Sequence, residues 1–196
     1  MNTDDYNGEL LTFDIIKLNL YSIVALIPII IIYIVPYQLI WNQEISTHAF
    51  MKIVEDNKLF GYTFPYSLSI FFIMILGIVM HELIHGITFS LFTKNGFKAI
   101  RFGVLWKKLT PYCHCKEPLP VKQYIIGGIM PAILLGFLPF IYALIFGNLF
   151  WLIFAIFFTI VAIGDFCIIF LLRKEDKNSM VLDHPSEVGF YIYREK

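Results

Sequence analysis

Four long apolar stretches are the feature of this sequence that most restricts its fold. They cover about 18–40, 66–93, 124–146 and 149–172, and each is long enough for a helix to cross a bilayer, which takes about 20 residues. The chain is 58% hydrophobic and 15% charged, whereas soluble domains are nearer half apolar and a quarter charged. The sequence therefore predicts an all-α membrane protein, a single polytopic domain over 1–196 with about four transmembrane helices and a cytoplasmic tail over 173–196.

The distribution of basic residues predicts the orientation of these helices. Four crossings place the amino terminus, the loop 95–123 and the tail on one side, which holds every Lys and Arg except Lys52 and Lys58. Because loops rich in Lys and Arg stay in the cytoplasm, we expect a multi-pass protein of the cell membrane with both termini cytoplasmic. Basic residues near the bilayer could also hold anionic headgroups, an interpretation favoured over nucleic-acid binding.

A His-Glu-x-x-His pattern lies inside the second apolar stretch, in GIVMHELIHGIT. On a helix, His81 and His85 are one turn apart on one face and can share a metal ion, while Glu82 lies beside them to accept a proton from an attacking water. Ionisable side chains at the centre of a spanning helix cost roughly 2.5–3.5 kcal/mol each. The cluster therefore predicts a zinc site with hydrolytic chemistry, in preference to two satisfied core histidines.

A third metal ligand is expected from another helix, because a catalytic zinc usually has three protein ligands and one open position. Apart from the pattern itself, Asp165 is the only Asp, Glu, His, Lys or Arg that lies well inside a predicted span. At 1.5 Å per residue, His85 and Asp165 both lie roughly 10–12 Å from the cytoplasmic ends of their helices. The two side chains can therefore lie at the same depth in the membrane and contact one another. The alternative for Asp165 is a polar residue hydrogen-bonded between helices.

Other potential ligands lie outside the apolar stretches and fit less well. The Cys-His-Cys run centred on His114 lacks the two-residue separation of ordinary zinc hooks, and all the cysteines are expected to stay reduced. Asp183 and His184 precede a proline, which predicts a turn. His48 falls on the far side of the predicted membrane. We therefore favour Asp165 as the third ligand.

The loop between the second and third spans predicts a short cytoplasmic β-hairpin. Its apolar and polar residues alternate, and we assign Gly103 and Thr110-Pro111 to the breaks between the strands. The edge of such a hairpin could receive an extended substrate by strand addition. The alternative is a hairpin that only caps the helix bundle, and the sequence favours neither.

The third span combines small residues with prolines. Gly128, Ala132 and Gly136 share one helix face and predict close packing against the helix that carries the two histidines. Pro131 and Pro139 predict a kink, which would expose backbone groups that can line a cavity. Ordinary helix packing without a role in chemistry is the alternative.

Several of these segments together resemble a known family. HELIH on one predicted span, CKEPLPVKQYIIGGIMP opening the next and Gly164-Asp165 on the last resemble the bacterial membrane family of putative zincin peptidases, over about 66–193. The arrangement is also similar to the site-2 protease class of intramembrane metalloproteases, although that class has its Asp in a Leu-Asp-Gly context. The resemblance implies that His81, His85 and Asp165 bind zinc and that Glu82 is the general base.

Two classes of function remain open at this stage. The first is a membrane-embedded zinc metallopeptidase that hydrolyses a membrane protein or peptide near the cytoplasmic leaflet. The second is a non-enzymatic metal-binding membrane protein, such as a transporter, a sensor or an inactive scaffold. Neither the substrate nor the oligomeric state follows from the sequence.

Overall fold

The computed structural model describes residues 6–12, 15–41, 60–106, 110–184 and 189–195. Its helices are α1 (Ile15–Trp41), α2 (Phe60–Ser90), α3 (Val121–Pro131), α4 (Leu138–Phe146), α5 (Leu149–Val161) and α6 (Ile163–Leu172). Its strands are β1 (Tyr6–Thr12), β2 (Ile100–Leu105), β3 (Thr110–Cys115), β4 (Leu119–Pro120), β5 (Met180–Asp183) and β6 (Gly189–Glu195). His48, Lys52 and Lys58 lie outside these ranges, so their predicted place on the far side stays a prediction.

The helices agree with most of the predicted spans. Within the described ranges, Ile23–Trp41, Leu68–Ser90 and Val121–Phe146 are long and apolar enough to cross a membrane, and the bent pair α5 and α6 adds a fourth if it forms one span. Many large apolar side chains on these helices are exposed, among them Leu39 with 79% of its surface accessible. Soluble monomers rarely expose such continuous apolar surfaces.

The fourth predicted span is divided into two helices. α5 and α6 meet at a bend of 48°. At the junction, Ala162 has φ −77° and ψ 2°, which lies outside the α-helical region. The bend places Asp165 in the first turn of α6 rather than in the middle of a continuous helix.

The third span is one helical rod whose hydrogen-bonding pattern changes between its prolines. A π-helical segment, Ala132–Phe137, joins α3 to α4. Pro131 ends α3 and Pro139 lies in the first turn of α4. Because a proline has no N–H to donate to the carbonyl four residues earlier, the regular α-helical ladder is interrupted at both positions. The π segment lies between these two interruptions.

Small residues pack the third span against its neighbours, but not in the way the sequence indicates. A Cβ atom on Gly136 would lie 2.5 Å from Oγ1 of Thr159 in α5, and one on Gly128 would lie 3.6 Å from Ile169 in α6. The close approach to α2 is made by Gly127, where a Cβ would overlap the ring of Phe89. The predicted packing against the histidine-bearing helix is correct, but Gly127 provides it instead of the small-residue face.

The predicted hairpin is present as the antiparallel pair β2 and β3. The assignment of Gly103 and Thr110-Pro111 to breaks was wrong, because all three residues lie within the paired strands. Gly103 pairs with Tyr112, and a Cβ on Gly103 would overlap the Tyr112 hydroxyl. The glycine therefore leaves room for a ring across the strands instead of forming a turn.

The predicted all-α fold is confirmed only in part, because the structure is mostly helical but the first and last described segments form a second sheet. Its four antiparallel strands have the order β1-β6-β5-β4, and Tyr6 to Thr12 pair with Glu195 to Gly189 in register. β4 leads directly into α3, so the sheet lies at the start of that helix. Short strands with half-exposed faces carry a weak sequence signal, and pairing between distant segments carries none.

Two buried clusters hold the elements together. The first joins the sheet and the hairpin to the ends of α2, α3 and α6 through Phe89, Ile100, Cys115, Leu119, Val121, Tyr124, Leu172, Val181, Phe190 and Ile192. The second joins α1 to α4 and α5 through Tyr33, Tyr37, Phe140, Ala143, Leu152 and Ala155. The first cluster fixes the strands against the helices that carry the ionisable residues.

The pairing of β1 with β6 depends on the absence of a side chain at Gly189. A Cβ there would overlap the backbone carbonyl oxygen of Leu11, and a backbone atom cannot move aside as a flexible side chain can. Gly189→Ala is therefore expected to lower the free energy of unfolding by roughly 1–3 kcal/mol. The measurement is the thermal unfolding midpoint of the purified protein. Gly164→Ala is the control, because a Cβ at Gly164 would have open space around it, and equal midpoints for the two variants would contradict the prediction.

Candidate metal centre

The structure brings together the three predicted ligands from two helices. Nε2 of His81 lies 3.1 Å from Oδ2 of Asp165, and Nε2 of His85 lies 3.3 Å from Oδ1 of the same carboxylate. The ligand atoms of the three residues all lie within 4.8 Å of one another. α2 supplies the histidines one turn apart, and the bend between α5 and α6 supplies the aspartate.

The orientation of His85 is fixed by a backbone carbonyl in α3. Its Nδ1 lies 2.9 Å from the carbonyl oxygen of Gly127, so Nδ1 donates its proton there and Nε2 faces Asp165. That carbonyl is available because Pro131, four residues later, has no N–H to occupy it. A ligating histidine commonly donates its other ring N–H to such an acceptor, which fixes the tautomer and the ring plane.

His81 is held in a different way. It is 3% exposed, and its ring lies edge-on to that of His85, with centroids 4.9 Å apart and planes at 77°. Its Nδ1 is buried without a hydrogen-bond partner among the described residues. Nε2 is therefore the His81 atom directed at the shared carboxylate.

Glu82 receives its contact from the β-hairpin. The backbone N–H of Cys113 faces the Glu82 carboxylate. Cys113 lies in β3 and pairs with Phe102 of β2, so its amide points away from the hairpin and toward α2. The hairpin therefore positions the acid of the His-Glu-x-x-His pattern, a role that the sequence does not signal because any residue except proline carries an amide N–H.

The outer edge of β3 has its amides engaged. The Cys113 amide faces the Glu82 carboxylate, and the N–H of Cys115 donates to Oδ2 of Asp183 at 2.8 Å. Pro111 lies two residues before Cys113, so its backbone faces the same edge of the strand, but a proline has no N–H. An extended peptide adding to this edge would find carbonyl acceptors but no unengaged amide donors between 111 and 115. This arrangement favours a positioning role for the hairpin over strand addition at β3.

Asp183 links the sheet to the metal centre, and sequence reasoning considered it only as a competing ligand. Besides the Cys115 amide, it accepts a hydrogen bond from the Tyr124 hydroxyl in α3. The Tyr124 ring packs on Phe89, with centroids 5.2 Å apart, and Phe89 stacks on His85 at 5.9 Å with an interplanar angle of 11°. Asp183 thus supports the aromatic contacts that hold His85, and it lies outside the three-residue cluster.

The Cys-His-Cys run does not form a second metal group with the described residues. Burial raises the pKa of the Cys113 thiol well above its usual range and that of Cys115 to about 11. Both thiols are therefore neutral near pH 7, whereas metals bind the thiolate. The Cys115 thiol donates to the carbonyl of Glu117 at 3.3 Å. Burial also lowers the pKa of His114.

The donor set of the cluster fits zinc. Two imidazole nitrogens and one carboxylate are common ligands of catalytic zinc, and three protein ligands leave a fourth position open. The fixed Nδ1 of His85 leaves its Nε2 available for the metal. Two histidines and the carboxylate now contact one another directly. With a cation bound, all three would instead coordinate the same ion.

Comparisons with known proteins agree with this chemistry. A family model described as "Putative zincin peptidase" (DUF3267) matches residues 74–180, and the chain belongs to that family. It is also 32% identical over 113 residues to the "Uncharacterized 24.7 kDa protein in gap 5'region" of Pyrococcus woesei. The match covers 56% of this chain and 49% of that relative, so the chain spans about half of the relative's length. No solved structure matches the chain.

The carbonyl freed by Pro131 leads to a prediction about metal binding. Pro131→Ala restores an N–H that can bond to the Gly127 carbonyl and compete with His85. We expect the zinc affinity of the purified protein to fall roughly tenfold. Loss of the hydrogen-bond acceptor of a ligating histidine typically costs about 10- to 100-fold in metal affinity. Chelator competition would measure it. Pro139→Ala is the matched control, since Gly127 is not its i−4 residue, and equal affinities for both variants would contradict the prediction.

Proposed function

We propose that this protein is a membrane-embedded zinc metallopeptidase that hydrolyses peptide bonds of a membrane protein or peptide near the cytoplasmic leaflet. The observation that carries the proposal is the convergence of His81, His85 and Asp165 beside Glu82 in a bundle of apolar helices. Membership of the zincin family supports the same chemistry. Ionisable residues at such positions are costly unless they serve a function.

Each residue has a distinct part in the proposed reaction. His81, His85 and Asp165 would hold the metal, and a zinc ion bound there would supply Lewis-acid polarisation of the scissile carbonyl and of the attacking water. Glu82 accepts the proton of that water and returns it to the leaving amine. The Cys113 amide keeps the Glu82 carboxylate in place through both transfers. For the reaction to proceed, water has to reach the Glu82 carboxylate from the cytoplasmic side.

The proposed orientation places both termini in the cytoplasm. Pairing of β1 with β6 requires the two terminal segments to lie on the same side of the bilayer, which supports an even number of crossings. The bent pair α5 and α6 then counts as the fourth span. Together with the basic residues around 95–123 and after 172, this supports the cytoplasmic assignment. The active site would then open toward the cytoplasmic half of the bilayer.

The role of Glu82 can be separated from metal binding. Glu82→Gln keeps the shape of the side chain but removes the proton acceptor, so peptide hydrolysis should fall by a factor of about 10² to 10⁴. Zinc content should stay the same because Glu82 is not a ligand. Cleavage of a peptide library by the zinc-loaded protein in detergent, read by mass spectrometry, measures the first effect.

Glu117→Gln provides the control for this change. Glu117 binds the backbone N–H of Lys94 outside the metal centre, so hydrolysis should be unaffected. Full activity of the Glu82→Gln variant would reject the catalytic role and favour a non-enzymatic metal-binding protein.

The third ligand can be tested by metal analysis. Asp165→Ala should lower the zinc content of the purified protein, because two histidines alone leave the metal with fewer ligands than catalytic sites use. His114→Ala removes a histidine outside the three-residue cluster and should leave the zinc content unchanged. Elemental analysis after equal dialysis gives the measurement. Equal zinc in the wild type and the Asp165→Ala variant would reject the assignment.

A further inference from the structure

We propose that a cavity at the sheet-facing end of α3 and α6 binds the headgroup of an anionic phospholipid. The cavity has a volume of about 310 Å³, at the lower end of the roughly 300–1,000 Å³ range of small-molecule pockets. It is lined at the start of α3 by Lys122 and at the end of α6 by Arg173, with Lys177 from the segment that follows. It is separate from the metal centre and does not depend on peptidase activity.

The charge of the cavity favours an anion. Lys122, Arg173 and Lys177 are exposed at its wall. Its one acidic lining residue, Glu175, is paired with the guanidinium of Arg194 through contacts of 2.7 and 2.8 Å. These hydrogen bonds hold the pKa of Glu175 below its usual range, so it stays ionised and paired with Arg194, which also binds Glu9 at 2.6 Å. No carboxylate among the described residues forms an ion pair with Lys122, Arg173 or Lys177, and we infer that these three cations serve an external partner.

Arg173 is oriented at the edge of this cavity. Its guanidinium carbon lies 3.6 Å from the centre of the Phe170 ring, a cation–π distance. The planar group can still offer N–H donors to phosphate oxygens while it stacks on the ring. Phe170 is more than half exposed, on a helix that forms part of a candidate membrane span. The arginine is thus placed where a lipid headgroup would meet the apolar surface of α6.

The apolar part of the wall favours a lipid over a free phosphate. Val121, Ile125, Ile126 and Leu172 line the same cavity, and they belong to helices that are candidate spans. An inorganic anion gains nothing from these side chains, whereas a phospholipid can place its phosphate among the cations and its glycerol and first acyl carbons along the helices. Basic pockets between spanning helices on the cytoplasmic side bind anionic headgroups in this way.

Native mass spectrometry of the full-length protein can test the site. Delipidated protein in detergent is titrated with phosphatidylglycerol and, separately, with phosphatidylcholine. The wild type should retain phosphatidylglycerol preferentially. The triple variant Lys122→Gln, Arg173→Gln, Lys177→Gln should bind it on the order of a hundredfold more weakly, and Lys122→Gln alone about fivefold more weakly.

A second triple variant tests whether lipid binding depends on the cavity or on the overall positive charge of the predicted cytoplasmic side. Lys98→Gln, Arg101→Gln, Lys116→Gln removes the same charge from the hairpin region and should leave lipid binding unchanged. An excess of inorganic phosphate should not displace the lipid. The proposal is overturned if phosphatidylcholine is retained equally, if both triple variants lose binding equally, or if phosphate displaces the lipid completely, which would indicate a site for a free anion.

Discussion

A carboxylate and two imidazoles can lie within an apolar helix bundle only if they satisfy one another, and the centre of this structure is arranged around that requirement. Asp165 contacts both His81 and His85, which come from a helix more than 70 residues earlier in the chain. The contact needs the bend at Ala162 on one side and the close approach of α3 at Gly127 on the other. Helix packing and metal-site geometry therefore depend on the same few residues.

The strands outside the bundle take part in the same arrangement. β3 offers its outward amides to Glu82 and Asp183, and β5 carries Asp183 to the Tyr124 hydroxyl. Each of these polar groups would be costly to bury alone. The extended segments thus supply hydrogen-bond donors that the middle of a regular helix does not offer, because its amides are already paired along the helix. A helical carbonyl contributes only where a proline leaves it unpaired, as at Gly127.

The parts of the structure that could be predicted from the sequence are those with a strong local signal. Ionisable residues are conspicuous in apolar stretches, so the pattern around Glu82 and the depth of Asp165 predicted the cluster that the structure assembles. The contact of Cys113 with Glu82 could not be predicted, because a backbone amide is present in every residue type but proline. The sheet was missed because pairing of β1 with β6 depends on the folded positions of distant segments. Gly103 was misassigned because its neighbour across the strands, Tyr112, is not its neighbour in sequence.

The sheet that joins the two ends of the chain also has a consequence for biosynthesis. β1 precedes β6 by more than 170 residues, so β1 has no strand partner until this long stretch has been translated. Asp165 and Asp183 likewise follow the two histidines by about 80 and 100 residues. A nascent chain that stops before this region contains the two histidines but neither their carboxylate partner nor the strand that supports them. Assembly of the metal centre therefore waits until Asp165 and Asp183 have been translated, and a chain that stops earlier has only part of the site.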